Sequence, residues 1–197
     1  MARIVLASGN AGKLAEFRAL LAGSGLELVA QGELGIADPD ETGATFVENA
    51  LQKARHAARL SGLPALADDS GLCVDALDGA PGLRSARYAG IHGDAAANID
   101  KLLDALRDVP VARRTAHFHA SIVLLRAPAD PAPLVAEGRW PGRILEVPRG
   151  SGGFGYDPVF QPEGNERSAA ELGPAEKNRI SHRGQALARL RDLIAAG

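Results

Sequence analysis

The run Leu63-Pro64-Ala65-Leu66-Ala67 is apolar enough for a buried strand, yet it closes on two adjacent carboxylates, Asp68 and Asp69, with Ser70-Gly71 directly behind. Burying an ionised carboxylate costs several kcal/mol unless a cation or hydrogen-bond donors compensate it. Asp, Ser and Gly are ordinary turn residues. The strand end is therefore either a solvated turn or a cation site. Any fold for this chain must bring the pair to water or bring cations to the pair.

The surrounding pattern predicts a mixed α/β domain. Ile4–Ala7 is a short apolar run ended by a turn, as in a buried strand. Leu14, Phe17, Leu20 and Leu21 follow at helical spacing, stopped by Gly23 and Gly25. Leu28–Ala30 reads as a second strand. Thr45 and Glu48 form a capping box for a helix reaching about Leu60, with Val47, Leu51, Ala54 and Ala58 as its apolar stripe. Asn49, Lys53 and His56 share another face. Gly79–Gly93 reads as irregular structure, and Asp94 can cap a helix through Leu106. Thr115–Arg126 reads as a long strand. Leu134–Trp140 and Arg143–Val147 are further strand candidates, and the proline-rich segment 127–133, between Arg126 and Leu134, looks like a surface hairpin loop. Ser168 with Glu171 offers another capping box, and Ser181 caps a last helix carrying Leu187, Leu190 and Ile194. Early alternation of strands and helices, then clustered strands, indicates one α/β unit over 1–197 with no separable linker.

Composition narrows the partners. The chain has 197 residues, 46% of them hydrophobic and 23% charged, so it can bury a real core. A net charge of −2 gives no electrostatic case for nucleic acid or an anionic membrane as partner. The single cysteine, Cys73, excludes an intramolecular disulfide and a cysteine-based zinc site, which fits a reducing cytoplasm. No apolar stretch approaches the ~20 residues that span a bilayer. The start, Ala2-Arg3-Ile4-Val5-Leu6, runs too soon into Ser8-Gly9-Asn10 for a signal peptide.

Several segments carry possible chemistry. Ser8-Gly9-Asn10-Ala11-Gly12-Lys13 joins strand to helix. It reads either as a phosphate cradle at a helix N-terminus or as a capped helix with a solvated lysine. It is not a Walker A loop, because the glycine spacing differs and Leu14 follows the lysine. Glu41 and Lys53 are each either solvated or drawn into a site with Asp69. A hard cation such as Mg²⁺ takes one or two carboxylates plus substrate phosphates, a need that Glu41 and Asp69 would meet. Phe154-Gly155-Tyr156-Asp157 lies in a glycine-rich loop of a chain with only 4% aromatics, so the rings either stack on a base or plug the core edge. Lys177, His182 and Arg183 gather near the start of the last helix. Positive charge there opposes the macrodipole, which points to a ligand. His117 and His119 alternate on a strand face without an evident third ligand, and Trp140 reads as packing.

Taken together these pieces resemble the inosine triphosphate pyrophosphatase family, most closely its bacterial dITP/XTP branch. The likeness runs nearly end to end. It covers Ser8-Gly9-Asn10 with Lys13, Glu41-Thr42-Gly43 with Glu48-Asn49-Ala50 and Lys53, and Ala67-Asp68-Asp69-Ser70-Gly71-Leu72. It continues through Gly79-Ala80-Pro81-Gly82, Ser85-Ala86-Arg87-Tyr88, 153–158, and Glu176-Lys177 with Ser181-His182-Arg183.

The resemblance implies an elongated mixed sheet flanked by helices, two lobes around an active-site cleft, and a homodimer. It implies a Mg²⁺-dependent hydrolase that converts ITP, dITP and XTP to monophosphate and pyrophosphate. Ser8, Gly9, Asn10, Ala11, Gly12, Lys13 and Lys53 would hold the triphosphate. Glu41 and Asp69 would sit at the metal, with Asp69 also the proton acceptor. Ser70, Phe154, Gly155, Tyr156, Asp157, Lys177, His182 and Arg183 would contact the nucleotide, mostly at the base. Neighbours in an extended chain point opposite ways, so Asp69 alone is expected at the metal, with Asp68 supporting it from behind. The rival readings are a pyrophosphatase for modified pyrimidine nucleotides and a non-catalytic nucleotide-sensing module.

Overall fold

A computed structural model of the chain describes residues 2–23 and 25–196. Its strands are β1 (Ala2–Ala7), β2 (Leu26–Ala30), β3 (Ala65–Val74), β4 (Thr115–Leu125), β5 (Leu134–Ile144) and β6 (Phe160–Pro162). Its helices are α1 (Ala11–Leu20), α2 (Phe46–Ser61), α3 (Ala95–Ala105), α4 (Pro174–Ile180) and α5 (His182–Ala196). The strands form one six-stranded sheet in the order β2-β1-β3-β4-β5-β6. β1 pairs in parallel with β2 and with β3, whereas β5 and β6 are antiparallel, so the sheet is mixed, as expected.

The backbone forms two compact units. The first takes in the chain up to Asp69, together with Ala120–Glu137 and the segment from Gly184 on; the second is Ser70–His119 with Gly138–Arg183. In the first unit the pleat sorts the core by residue parity. Ile4, Leu6, Leu66, Ile122 and Leu124 pack with Phe17 of α1 and with Leu187 and Leu190 of α5. Their alternates Val5, Ala7, Ala65, Ala67, Val123 and Leu125 face Ala50, Ala54, Ala57 and Ala58 of α2. The capping box of Thr45 and Glu48 forms as expected, with both of its hydrogen bonds present. In the second unit Leu72 and Val74 of β3 join Ile99 and Leu102 of α3, Phe118, Trp140 and Phe160 in one cluster. Phe118 meets Phe160 edge-on with centroids 4.7 Å apart.

Two strand expectations are corrected, and two helical ones gain detail. The strand does not end at the acidic pair: β3 runs through Asp68, Asp69, Ser70 and Gly71 to Val74, and the solvated-turn reading falls with it. Leu134–Trp140 and Arg143–Val147 are not two strands; β5 is continuous to Ile144 and stops there. Ser168 and Glu171 do make a capping box, but it opens only a single tight helical turn over Ala169–Glu171, with α4 starting separately after Gly173. Ile194 lies on the last helix as expected but is 45% exposed, unlike Leu187 and Leu190.

Candidate active site

In the first unit the turn after β1 is organised by its own side chains. Asn10 caps α1 by accepting the Lys13 N–H on Oδ1 at 3.0 Å, and its own N–H donates to the Ser8 hydroxyl at 3.2 Å. A Cβ at position 9 would stand 2.6 Å from Oδ2 of Asp38, so any larger residue would have to displace that carboxylate. The Lys13 ammonium reaches across to β3 and pairs with Asp68 Oδ2 at 2.7 Å.

Asp69 is met from α2. Lys53 Nζ lies 2.7 Å from Asp69 Oδ1 and 3.1 Å from Glu41 Oε1, and Asn49 donates its Nδ2–H to Asp69 Oδ2 at 3.2 Å. Glu41 rides on an extended strap fastened along α2. The Ala37 carbonyl meets His56 Nε2, Thr42 N–H donates to Gln52, Gly43 N–H donates to Asn49 Oδ1, and the Ala44 and Thr45 N–H groups donate to Glu48. The helix partners run 56, 53, 52, 49, 48 as the strap advances, so strap and helix are antiparallel. The compensation demanded by the acidic pair is thus supplied by Lys13, Lys53 and Asn49, which is why β3 can stay extended through it.

Burial pushes the Asp69 carboxyl up against the opposing pull of Lys53 and Lys13, with Glu41 adding to the rise. For Lys53, burial opposes the charged form, but Asp69, Glu41 and Asp68 outweigh it, and the ammonium pKa is raised. Among the described residues no three His, Cys, Asp or Glu side chains gather into a ready-made metal cage. Two carboxylates, Glu41 and Asp69, nevertheless converge on a single cation, Lys53. Mg²⁺ commonly takes one or two carboxylates and completes its shell with waters and phosphate oxygens, so this donor set suits an ion that arrives with a nucleotide.

In the second unit Arg183, 1% exposed, donates from Nη2 to the Ser70 hydroxyl at 3.0 Å. The loop 153–157 closes on Asp157, whose Oδ2 accepts the Phe154 N–H at 2.8 Å and the Lys177 ammonium at 2.6 Å. Gly153 has φ +71°, and a Cβ there would collide with the Asp157 carboxylate. Phe154 is half-buried, with Lys177 Nζ 4.9 Å and Arg183 Cζ 5.8 Å from its ring centre. The two rings differ in burial. Phe154 is half-buried with two cations over its ring, whereas Tyr156 is buried and donates its hydroxyl to the Ser85 carbonyl at 2.9 Å. Burial raises the Tyr156 phenol strongly, with Tyr88 adding to the rise.

His182 and Arg183 open α5, as expected, but Lys177 sits in the last turn of α4, where its charge complements the dipole. His182 is buried and stacks on Phe118 at 4.8 Å with the planes 12° apart, extending the aromatic cluster of the core. Ala11 and Gly12 lie in the first turn of α1, and Gly155 is half-buried at φ +60°. His117 Nδ1 meets Arg139 at 3.2 Å on the opposite side of β4 from Phe118. Two contributors lie in the resembling motifs without an assigned role. Asn49 holds both Asp69 and the strap, and Ser85 accepts the Leu72 N–H on its hydroxyl while its carbonyl holds Tyr156. Ser85 stood within a recurring motif without a role; the pairing across 13 residues supplies one.

Residues 4–193 match the Ham1 family. The chain is 64% identical over 196 residues to a dITP/XTP pyrophosphatase of Xanthomonas oryzae pv. oryzae, covering all of this chain and 98% of that relative. It is 55% identical over 197 residues to a dITP/XTP pyrophosphatase of Shigella flexneri, with both chains covered in full. Among solved structures, a HAM1 protein from Coxiella burnetii superposes with a TM-score of 0.91 at 51% identity, again over the whole of both chains.

Proposed function

The chain belongs to the Ham1 family, and on that premise we propose that it hydrolyses the nonstandard purine nucleoside triphosphates ITP, dITP and XTP to the monophosphate and pyrophosphate. The relatives' activity on dITP and XTP supports the substrate class. One observation carries the chemistry: Glu41 and Asp69 share the Lys53 ammonium at 3.1 and 2.7 Å, with Lys13 on the neighbouring acid. Such a cluster of acids and lysines answers the needs of a triphosphate, whose charge must be offset before pyrophosphate can leave.

Glu41 and Asp69 would hold Mg²⁺, which when bound supplies charge neutralisation on the phosphates. Ser8–Lys13 and Lys53 bind the phosphate chain through backbone N–H groups and ammonium charge. Asp69 orients a water towards the α-phosphorus and accepts its proton. The new P–O bond forms as the bridging oxygen departs with pyrophosphate. Asn49 and Lys53 keep the Asp69 carboxylate aimed.

The base-handling residues begin at the next position, Ser70, and include Phe154 to Asp157, Lys177, His182 and Arg183. Phe154 offers the stacking face. Donors from Arg183 or Lys177 suit a 6-oxo purine and oppose the 6-amino group of adenine. A donor towards C2 accepts hydrogen or oxo and opposes the amino group of guanine. The same reading makes the protein a cytoplasmic homodimer, with neither nucleic acid nor membrane as partner. No helix among the described residues is long and apolar enough to cross a membrane.

The test is pyrophosphate release from a panel of ITP, dITP, XTP, GTP, ATP and dTTP with Mg²⁺. The hypoxanthine and xanthine nucleotides should lead, and Asp69→Asn should cost roughly 10²–10⁴-fold in kcat. Preference for dTTP would move the substrate to pyrimidines, binding without turnover would make the protein a sensor, and full activity of Asp69→Asn would sink the mechanism.

A further inference from the structure

Asp68 has no part in the chemistry above, yet it is the more deeply buried of the two acids, its side chain showing no exposure against 9% for Asp69. Its carboxylate receives the Lys13 ammonium at 2.7 Å, and its main-chain carbonyl accepts from the same Nζ at 3.4 Å. Lys13 is thereby fixed at both ends: Asn10 holds its backbone N–H and Asp68 holds its head group. A lysine in the first turn of a helix would ordinarily extend into water. This one is folded back onto β3 and is only 14% exposed.

We propose that Asp68 is a positioning residue: it fixes the Lys13 ammonium where the phosphate chain of the nucleotide is bound. The two acids then serve different cations, Asp69 with Lys53 and Asp68 with Lys13. The inference rests on the reading of Lys13 as a phosphate ligand. Elementary electrostatics gives it a sharp sign. If Asp68 were only a nearby negative charge, removing it would make the site more positive and tighten anion binding. If it positions Lys13, removing it frees a flexible four-carbon stem, and anion binding weakens despite the gain in charge.

The experiment is a double-mutant cycle of Asp68→Asn and Lys13→Met, read by calorimetric binding of inorganic pyrophosphate and by KM and kcat for XTP. Asp68→Asn should raise the pyrophosphate Kd and the XTP KM by about tenfold, with kcat changed far less. In the Lys13→Met background the same substitution should add nothing. Tighter or unchanged pyrophosphate binding by Asp68→Asn, or additive effects in the cycle, would overturn the proposal. Should Asp68→Asn unfold at the assay temperature, Asp68→Glu decides the matter. It keeps the charge but shifts the carboxylate by one methylene, so it must still weaken pyrophosphate binding, and unchanged binding rejects the positioning role. Wild-type protein that releases no pyrophosphate from XTP would remove the functional reading instead, leaving the calorimetric cycle to judge the Asp68–Lys13 link by itself.

Discussion

Asp157 shows how much one side chain can hold. It is 3% exposed, terminates the Phe154 loop by accepting its N–H, and neutralises the buried Lys177 ammonium. Removing it strands a positive charge with its solvation already lost. Asp157→Ala should therefore lower stability by roughly 3–5 kcal/mol in urea unfolding, well beyond a surface ion pair. Asp157→Asn, which can still accept the Phe154 N–H, should cost less. Residue identity made part of this legible. A phenylalanine and a tyrosine in a glycine-rich loop stood out, but their division into a half-buried ring and a buried one depends on Ser85, 71 residues away from Tyr156. Lysines 13, 53 and 177 were recognisable as ligand candidates. Their pairing with Asp68, Asp69 and Asp157 was not, because each partner comes from a distant segment or a neighbouring element.

At the scale of elements, α2 does two jobs with two faces. One packs alanines on the sheet, and the other fastens the strap that presents Glu41. The strap meets the helix at Thr45, whose hydroxyl caps it and whose N–H group is held by Glu48. Thr45→Ala should cost roughly 1 kcal/mol, measured by chemical denaturation. The cap was readable from Thr45 and Glu48 because a capping box is a local device spanning four residues. So was the Asp94 cap of α3, which accepts the Ala97 N–H at 3.0 Å. The extent of β3 was not readable. Locally, Asp-Asp-Ser-Gly favours a turn, and the strand persists only because two lysines and an asparagine from α1 and α2 satisfy its carboxylates. The sequence shows that two acids need cations there; it does not show that the cations would come to the strand.

At the scale of the whole molecule, two carboxylates held below their ordinary range contribute to acid stability. Asp130 lies well below its usual 3.8 because Arg126 hydrogen-bonds its carboxylate, and Glu171 lies below 4.5 because the Ser168 N–H does the same. A folded-state pKa below the unfolded value contributes stability that is complete above the unfolded value and drains as pH falls through the folded one. The melting temperature should thus hold down to about pH 5 and decline below about pH 4. Asp130→Asn and Glu171→Gln should each make that decline shallower, as followed by thermal melts across the acid range. One substitution probes each compact unit. Those units also limit how this protein can change. The chain passes from one to the other after Asp69, His119, Glu137 and Arg183, so neither is a continuous stretch of sequence. A single crossover after Asp69 would carry the base-handling residues away from the phosphate-handling ones, but it would cut through β3 and divide the first unit, whose segments Ala120–Glu137 and from Gly184 on lie beyond it. A chimera joined there would ask segments from two parents to rebuild one strand and the core of the first unit, so substitution in place is the less disruptive route to a new base preference.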